Sequence, residues 1–273
     1  MMRIRFEAVG KQSLNVIVNV TLNFILIAGH AGNFRKVAEG RKIAKRTNQK
    51  EYEIYKNPDG LQDIIPYTER TNKDNQEISE MGKNVIIMQN MFHGIQKHSL
   101  VALDIKIGKS TASRSQLSDS REKNLVGAFF KKMKMSLYDR YTKSSTRGWR
   151  AIPIGDGNRA KIGRNSEIFL HEQLDRINVS KGVALRSIII QLNLIKDKLD
   201  QIQKTFIASS VLIVIDLQHP ENARAKLIDL AYPIDANSRL YQKSKESFDE
   251  GITALITFFE ACAAEQVEDI FPA

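Results

Sequence analysis

The chain has one cysteine, Cys262, so an internal disulfide is excluded, and no zinc-ligand spacing surrounds it. A reducing, cytoplasmic compartment is the expectation, and delivery into a host cytoplasm would leave the same mark. No run is long and apolar enough to span a membrane. The longest uncharged stretch, Gln12–Gly29, is interrupted by Asn15, Asn19, Thr21 and Asn23. Its residues Val18 to Phe24 alternate with period two, the pattern of a strand, and it lacks the small-residue cleavage site of a signal peptide. The five histidines are scattered and form no metal pair. Repeats and low-complexity tracts are missing. So are basic runs interleaved with aromatics and zinc-finger spacings, and nucleic acid is therefore not expected as a partner.

Hydrophobic residues make up 42% of the chain and charged residues 26%, the balance of a folded protein. Its 273 residues suffice for one large domain or for two lobes sharing a cleft. The formal net charge of +10 attracts polyanions, without choosing among nucleic acid, anionic lipid and a small polyphosphate.

The first third reads as strands with one helix. Gly29-His30-Ala31-Gly32-Asn33-Phe34 is a turn, Lys50–Lys56 a short helix, and Asn84–Asn90 and Leu100–Ile107 are strand-like runs. In the middle, Leu125, Phe129, Met133 and Leu137 recur every four residues among lysines, as on an amphipathic helix. Leu185, Ile188, Ile189, Leu192, Ile195, Leu199 and Ile202 have the spacing of a core helix. Phe206–Asp216 and Arg224–Leu230 read as two strands joined by a turn around His219–Asn222. A terminal helix over Glu250–Ala264, capped by Asp249, completes an α+β pattern.

Two nucleotide-binding motifs fail on inspection. Gly108-Lys109-Ser110 would need a glycine where Leu103 stands to be a phosphate-binding loop. Gly155–Ala160 imitates a dinucleotide fingerprint but lacks the strand before it and the helix after it. No protein-kinase catalytic loop is present.

Phosphoryl transfer needs a cation on the nucleotide phosphates, a carboxylate for magnesium, and a cation near the acceptor. Three places supply such groups. Lys45 ends a strand, with Glu51 six residues on in the short helix. Asp104 and Lys106 sit two apart on a strand and so face the same way. Asp229 ends the apolar strand Lys226-Leu227-Ile228. Each also has an ordinary explanation: a surface ion pair, an exposed strand face, a turn cap.

Ordered motifs carry the argument further. Leu103-Asp104-Ile105-Lys106-Ile107-Gly108 resembles the D-x-K-x-G signature of the inositol polyphosphate kinase family. Gly29–Phe34 resembles that family's N-terminal G-H turn, and Lys45 through Glu51 to Tyr55 its lysine–glutamate–aromatic pattern. Ser144–Arg150 is similar to its serine-rich G-x-R segment. Ser209-Ser210-Val211-Leu212, then Ile228-Asp229-Leu230-Ala231, resemble its S-S-L-L strand and I-D-F-A motif. The matches span about residues 26–260 and keep the family's order. The sequence departs at Leu100 for a proline, Lys109-Ser110-Thr111 for threonine-arginine-glutamine, Gln89 for an acidic hinge residue, and Leu230 for phenylalanine.

The resemblance implies a two-lobed kinase-like fold with antiparallel sheets and a helical inositol-phosphate-binding insert. The N-terminal lobe would cover residues 1–97 and the C-terminal lobe 98–273, with a basic acceptor-binding segment at about 109–143. It implies ATP and Mg2+ as cofactors and a soluble inositol polyphosphate as substrate. Lys45, with Glu51 orienting it, would hold ATP phosphates, and Asp104 the ribose. Gln89 and Met91 would lie at the adenine hinge, and Asp229 would bind the metal. Lys106 would touch both acceptor and transferring phosphoryl group, while Lys109, Arg114 and Lys131 would bind the acceptor. A monomer is expected. A kinase of the same architecture acting on protein, and an inactive polyanion-binding relative, are the alternatives.

Overall fold

The computed structural model describes residues 33–109, 133, 136–152 and 163–270. The alternating stretch near the N-terminus, the G-H turn up to Gly32, and most of the basic segment, Arg114 and Lys131 included, lie outside them.

A three-stranded antiparallel sheet is built from β1 (Phe34–Val37), β2 (Lys42–Arg46) and β3 (Val85–Gln89), in that order. Strand alternation divides its side chains. Val37, Ala44, Val85 and Ile87 pack in a small cluster with Ile78 and Met81, whereas Ile43, Ile86 and Met88 join the main core. Lys45 is two residues from Ile43, so it leaves the sheet on the main-core face. Between β2 and β3 lie α1 (Gln49–Lys56) and α2 (Asn72–Glu77). Asn48 caps α1 by accepting from the Glu51 amide at 2.9 Å. Helix α2, an addition to the single helix expected here, starts on a capping box of Thr71 and Asp74.

A second, four-stranded antiparallel sheet runs in the order β5 (Trp149–Ile152), β4 (Leu100–Ile107), β7 (Ser210–Asp216) and β8 (His219–Ile228). Strand β4 (Leu100–Ile107) has the limits expected from its alternation. Its Val101, Leu103, Ile105 and Ile107 enter the main core, and Leu100, Ala102, Asp104 and Lys106 occupy the opposite face. A one-turn helix α3 (Ser144–Arg147) leads into β5 (Trp149–Ile152). After α4 (Ser166–Leu174), helix α5 (Lys181–Gln201) buries Leu185, Ile188, Leu192, Ile195 and Leu199, the face its periodicity indicates.

The next region differs from expectation. Phe206–Asp216 is not one strand: β6 (Lys204–Phe206) stops before Ala208, whose φ of 60° breaks the extended chain, and β7 (Ser210–Asp216) begins anew. The following turn is tighter than expected, because His219 already opens β8 (His219–Ile228) and Gln218 N–H bonds the Asp216 carboxylate at 3.0 Å. Strand β6 pairs instead with β9 (Pro233–Asp235). The last helix, α6 (Tyr241–Ile270), starts well before Glu250. Asp249 is therefore no cap; it pairs with Lys245 inside the helix, and Ser238 accepts the Leu240 and Tyr241 amides at its start. Phe248, Ile252, Leu255, Phe259 and Cys262 bury the α6 face against the core.

One junction fixes α6 to the strand that carries Lys106. Gly108 donates its N–H to Gly148 O at 2.7 Å, and Gly251 of α6 lies directly on both. A Cβ at Gly251 would fall 2.9 Å from Gly108 N and closer still to Gly148 O. Backbone, unlike a side-chain tip, cannot yield. Gly251→Ala should lower stability by about 3 kcal/mol through overpacking. In a thermal melt that is a drop of roughly 6–12 °C for a protein this large. An unchanged melting temperature would show that the helix can slide away.

Candidate active site

Four ionisable side chains, from β2, α1, β4 and the end of β8, meet at one point. Lys45 Nζ of β2 donates to Glu51 Oε1 of α1 at 2.9 Å and to Asp229 Oδ1 at 3.2 Å. Lys106 Nζ of β4 donates to Asp229 Oδ2 at 3.0 Å and to Ala208 O at 2.6 Å. Asp229, just beyond the end of β8, is thus shared by an ammonium from each sheet.

Local structure explains how each group arrives. Glu51 sits in the first turn of α1, where a carboxylate is favoured by the helix dipole. It also accepts from the Leu230 amide at 3.3 Å and from the Thr47 hydroxyl, so a buried carboxylate has three kinds of donor. Asp229 has φ of 61°, a left-handed conformation that aspartate tolerates better than most residues. That twist takes the chain out of β8 at the point where the carboxylate enters the cleft. Lys106 owes its direction to β4 register, opposite Ser210 on β7 and Arg150 on β5.

These are not surface pairs. Side-chain exposure is 11% for Lys45, 3% for Glu51, 16% for Lys106 and 22% for Asp229. Burial disfavours the charge on Lys45, but the Glu51 and Asp229 carboxylates outweigh it and raise its pKa above the ordinary lysine value. Burial likewise disfavours ionised Asp229, yet Lys106 and Lys45 together hold it at about 2. The Tyr55 phenol, buried beside them, is pushed well up by desolvation and by the same two carboxylates.

The depressed Asp229 value makes an acid-stability prediction. Its stabilisation is fully present above the usual 3.8 and is lost as pH falls through about 2. Over that window the protein should lose about 2 kcal/mol from this group. Denaturant unfolding between pH 5 and pH 2 should show the loss in wild type and not in Asp229→Asn. Parallel curves for the two proteins would contradict it.

The remaining expected residues have mixed placements. Asp104 is buried on β4, on the same face as Lys106 and next to an apolar cluster of Met91, Leu100, Leu212, Val214 and Ile228. Met91 belongs to that cluster, whereas Gln89 is the exposed last residue of β3. Lys109 is not turned towards the four-charge cluster; it pairs with Glu250 of α6, and its amide donates to Ser247 Oγ at 2.8 Å.

A second buried charge pair was not foreseen. Arg150 of β5, in register with Lys106, donates to Asp139 Oδ1 at 2.7 Å and to Ser144 Oγ at 3.0 Å, under the Tyr138 ring. Burying a guanidinium requires such satisfaction, and the result anchors α3 beside β4. The G-x-R segment held the signal, as an arginine in an otherwise apolar strand.

A small sheet thus presents a buried lysine–glutamate pair to an aspartate at the end of a strand of the larger antiparallel sheet, an arrangement in keeping with the kinase-like fold that the resemblance implies. Residues 158–260, which include Asp229, match the family model described as inositol polyphosphate kinase, the family indicated by the ordered motifs. The structure is similar to that of the inositol phosphate multikinase Ipk2 of S. cerevisiae, solved in complex with ADP and Mn2+. The TM-score is 0.60 at 17% sequence identity, over 81% of this chain and 99% of that one. Another inositol phosphate multikinase structure gives a TM-score of 0.55 at 18% identity, over 79% and 99%. No curated protein sequence matches significantly.

Proposed function

We propose that this protein transfers the γ-phosphoryl group of ATP to a soluble inositol polyphosphate. The observation that carries the reading is the convergence of Lys45, Glu51, Lys106 and Asp229 onto one buried point. An ammonium has three donors, and among the described residues Lys45 and Lys106 each spend two. The third of each can meet a phosphate oxygen.

In this reading Lys45, held by Glu51, takes the nucleotide phosphates, and Lys106 stabilises charge on the phosphoryl group in flight and orients the acceptor. Asp104 receives the ribose hydroxyls, beside the apolar cluster around Met91 that would accept adenine. Asp229 suits a hard divalent cation such as Mg2+ or Mn2+: it is an oxygen donor and stays ionised down to about pH 2. When bound, such an ion would neutralise phosphate charge. Lys109, Arg114 and Lys131 extend the acceptor site in this proposal, and the protein acts as a cytoplasmic monomer. A compact polyanion matches the net charge of +10.

The test is incubation with ATP, Mg2+ and a panel of inositol phosphates, with products separated by anion-exchange chromatography. A parallel reaction contains radiolabelled ATP and a generic protein mixture. Conversion of at least one inositol phosphate to a more highly phosphorylated product is expected. Label entering protein alone would replace this reading with protein phosphorylation.

A further inference from the structure

The only cysteine of the chain has a partner that its sequence neighbourhood does not reveal. Cys262, buried on α6, has Sγ 3.9 Å from Nδ1 of His171, which comes from α4, 91 residues away. Glu265 lies one turn further along α6 on the same face. One donor atom from each of the three lies within 4.8 Å of the other two. From these residues we propose a second metal site, separate from the kinase cleft, in which His171, Cys262 and Glu265 bind Zn2+ with water as the fourth ligand.

Ligand chemistry selects the ion. A thiolate, an imidazole and a carboxylate are the three side-chain donors that zinc accepts, and three protein ligands leave a fourth tetrahedral position open. Bond lengths of about 2.0–2.3 Å put tetrahedral donors roughly 3.3–3.7 Å apart, so the atoms need to close by about 1.5 Å at most. The less buried members have room to do it: Glu265 is exposed and His171 only part-buried, whereas Cys262 is held in the core. The His171 ring is also oriented, resting edge-on to Phe258 at 5.0 Å between centroids. Charge fits as well, because a thiolate and a carboxylate balance a divalent cation while histidine stays neutral. Without metal, burial, helped by the Glu265 and Asp175 carboxylates, keeps Cys262 as a thiol, so binding releases a proton. The consequence is a staple between α4 and α6, the helix whose Gly251 is seated on the end of β4.

Cobalt makes the site visible, because a single cysteine gives a single possible thiolate signal. The metal-free full-length protein would be titrated with Co2+ in excess Mg2+, which occupies oxygen sites and gives no thiolate band. A thiolate-to-cobalt charge-transfer band saturating at one equivalent is expected, and Zn2+ should remove it. Cys262→Ser should abolish the band. His171→Gln and Glu265→Gln, which alter no core residue, should each weaken Co2+ binding at least about tenfold, with the circular dichroism spectrum unchanged. The proposal is overturned by a folded wild-type protein that develops no band. It is equally overturned by full affinity in both the His171→Gln and Glu265→Gln proteins.

Discussion

Asp229→Asn will turn over its substrate at least about a hundredfold more slowly than wild type, a loss of about 3 kcal/mol or more in transition-state stabilisation. The substitution is nearly isosteric and keeps an acceptor oxygen for one lysine, so the chain should still fold. It removes the charge that Lys45 and Lys106 share, and with it the only carboxylate that both ammonium groups touch among the described residues. In the proposed mechanism that charge is also what a divalent cation would bind. Stability should fall less than activity, because Glu51 and Ala208 O still hold the two lysines. Steady-state rates on the best inositol phosphate, with a thermal melt as control, decide the matter. Near-wild-type turnover in a folded protein would remove Asp229 from the chemistry.

Lys106→Ala should separate acceptor chemistry from nucleotide binding. Lys45 and Glu51 do not depend on Lys106 for their mutual bond, so nucleotide binding, read by thermal shift, should persist. Turnover should drop by more than about a hundredfold, since a cation present at the transferring group in the transition state would be gone. Lys106→Arg should restore little. The native ammonium reaches Ala208 O and Asp229 at once from a buried strand position, and a planar guanidinium is longer and cannot occupy the same point. Loss of nucleotide binding in both variants would instead assign Lys106 to the ATP phosphates. Rescue by arginine would mean that charge alone matters there.

Local features of this fold were legible before any coordinates. Strand β4 shows its ends in its own alternation, and α5 shows its buried face in three-and-four spacing. The Lys45–Glu51 pair was legible for the same reason, being six residues apart across one capped helix start. The Thr71–Asp74 capping box is equally local, but α2 carries almost no apolar stripe to mark it as a helix. Contacts across long separations are another matter. Lys106 and Asp229 are 123 residues apart, and only family resemblance suggested that they share a cleft. The positive φ values of Ala208 and Asp229 had no glycine to announce them; the surrounding structure imposes both. The ion pair of Lys109 is likewise a long-range contact. Its place after Gly108 suggests the acceptor pocket, and the packing of Gly251 on Gly108 also brings Glu250 beside it.

The four-charge cluster is electrically neutral as it stands: two ammonium groups, two carboxylates. The excess of +10 therefore resides elsewhere on the chain. Long-range attraction of a polyanion and short-range work on a phosphoryl group are thus assigned to different charges. Added salt screens the first over about 8–10 Å at physiological ionic strength, and acts much less on ion pairs that are largely buried. Capture of a highly phosphorylated acceptor should slow as salt rises, while the transfer step, once the acceptor is seated, keeps its pace.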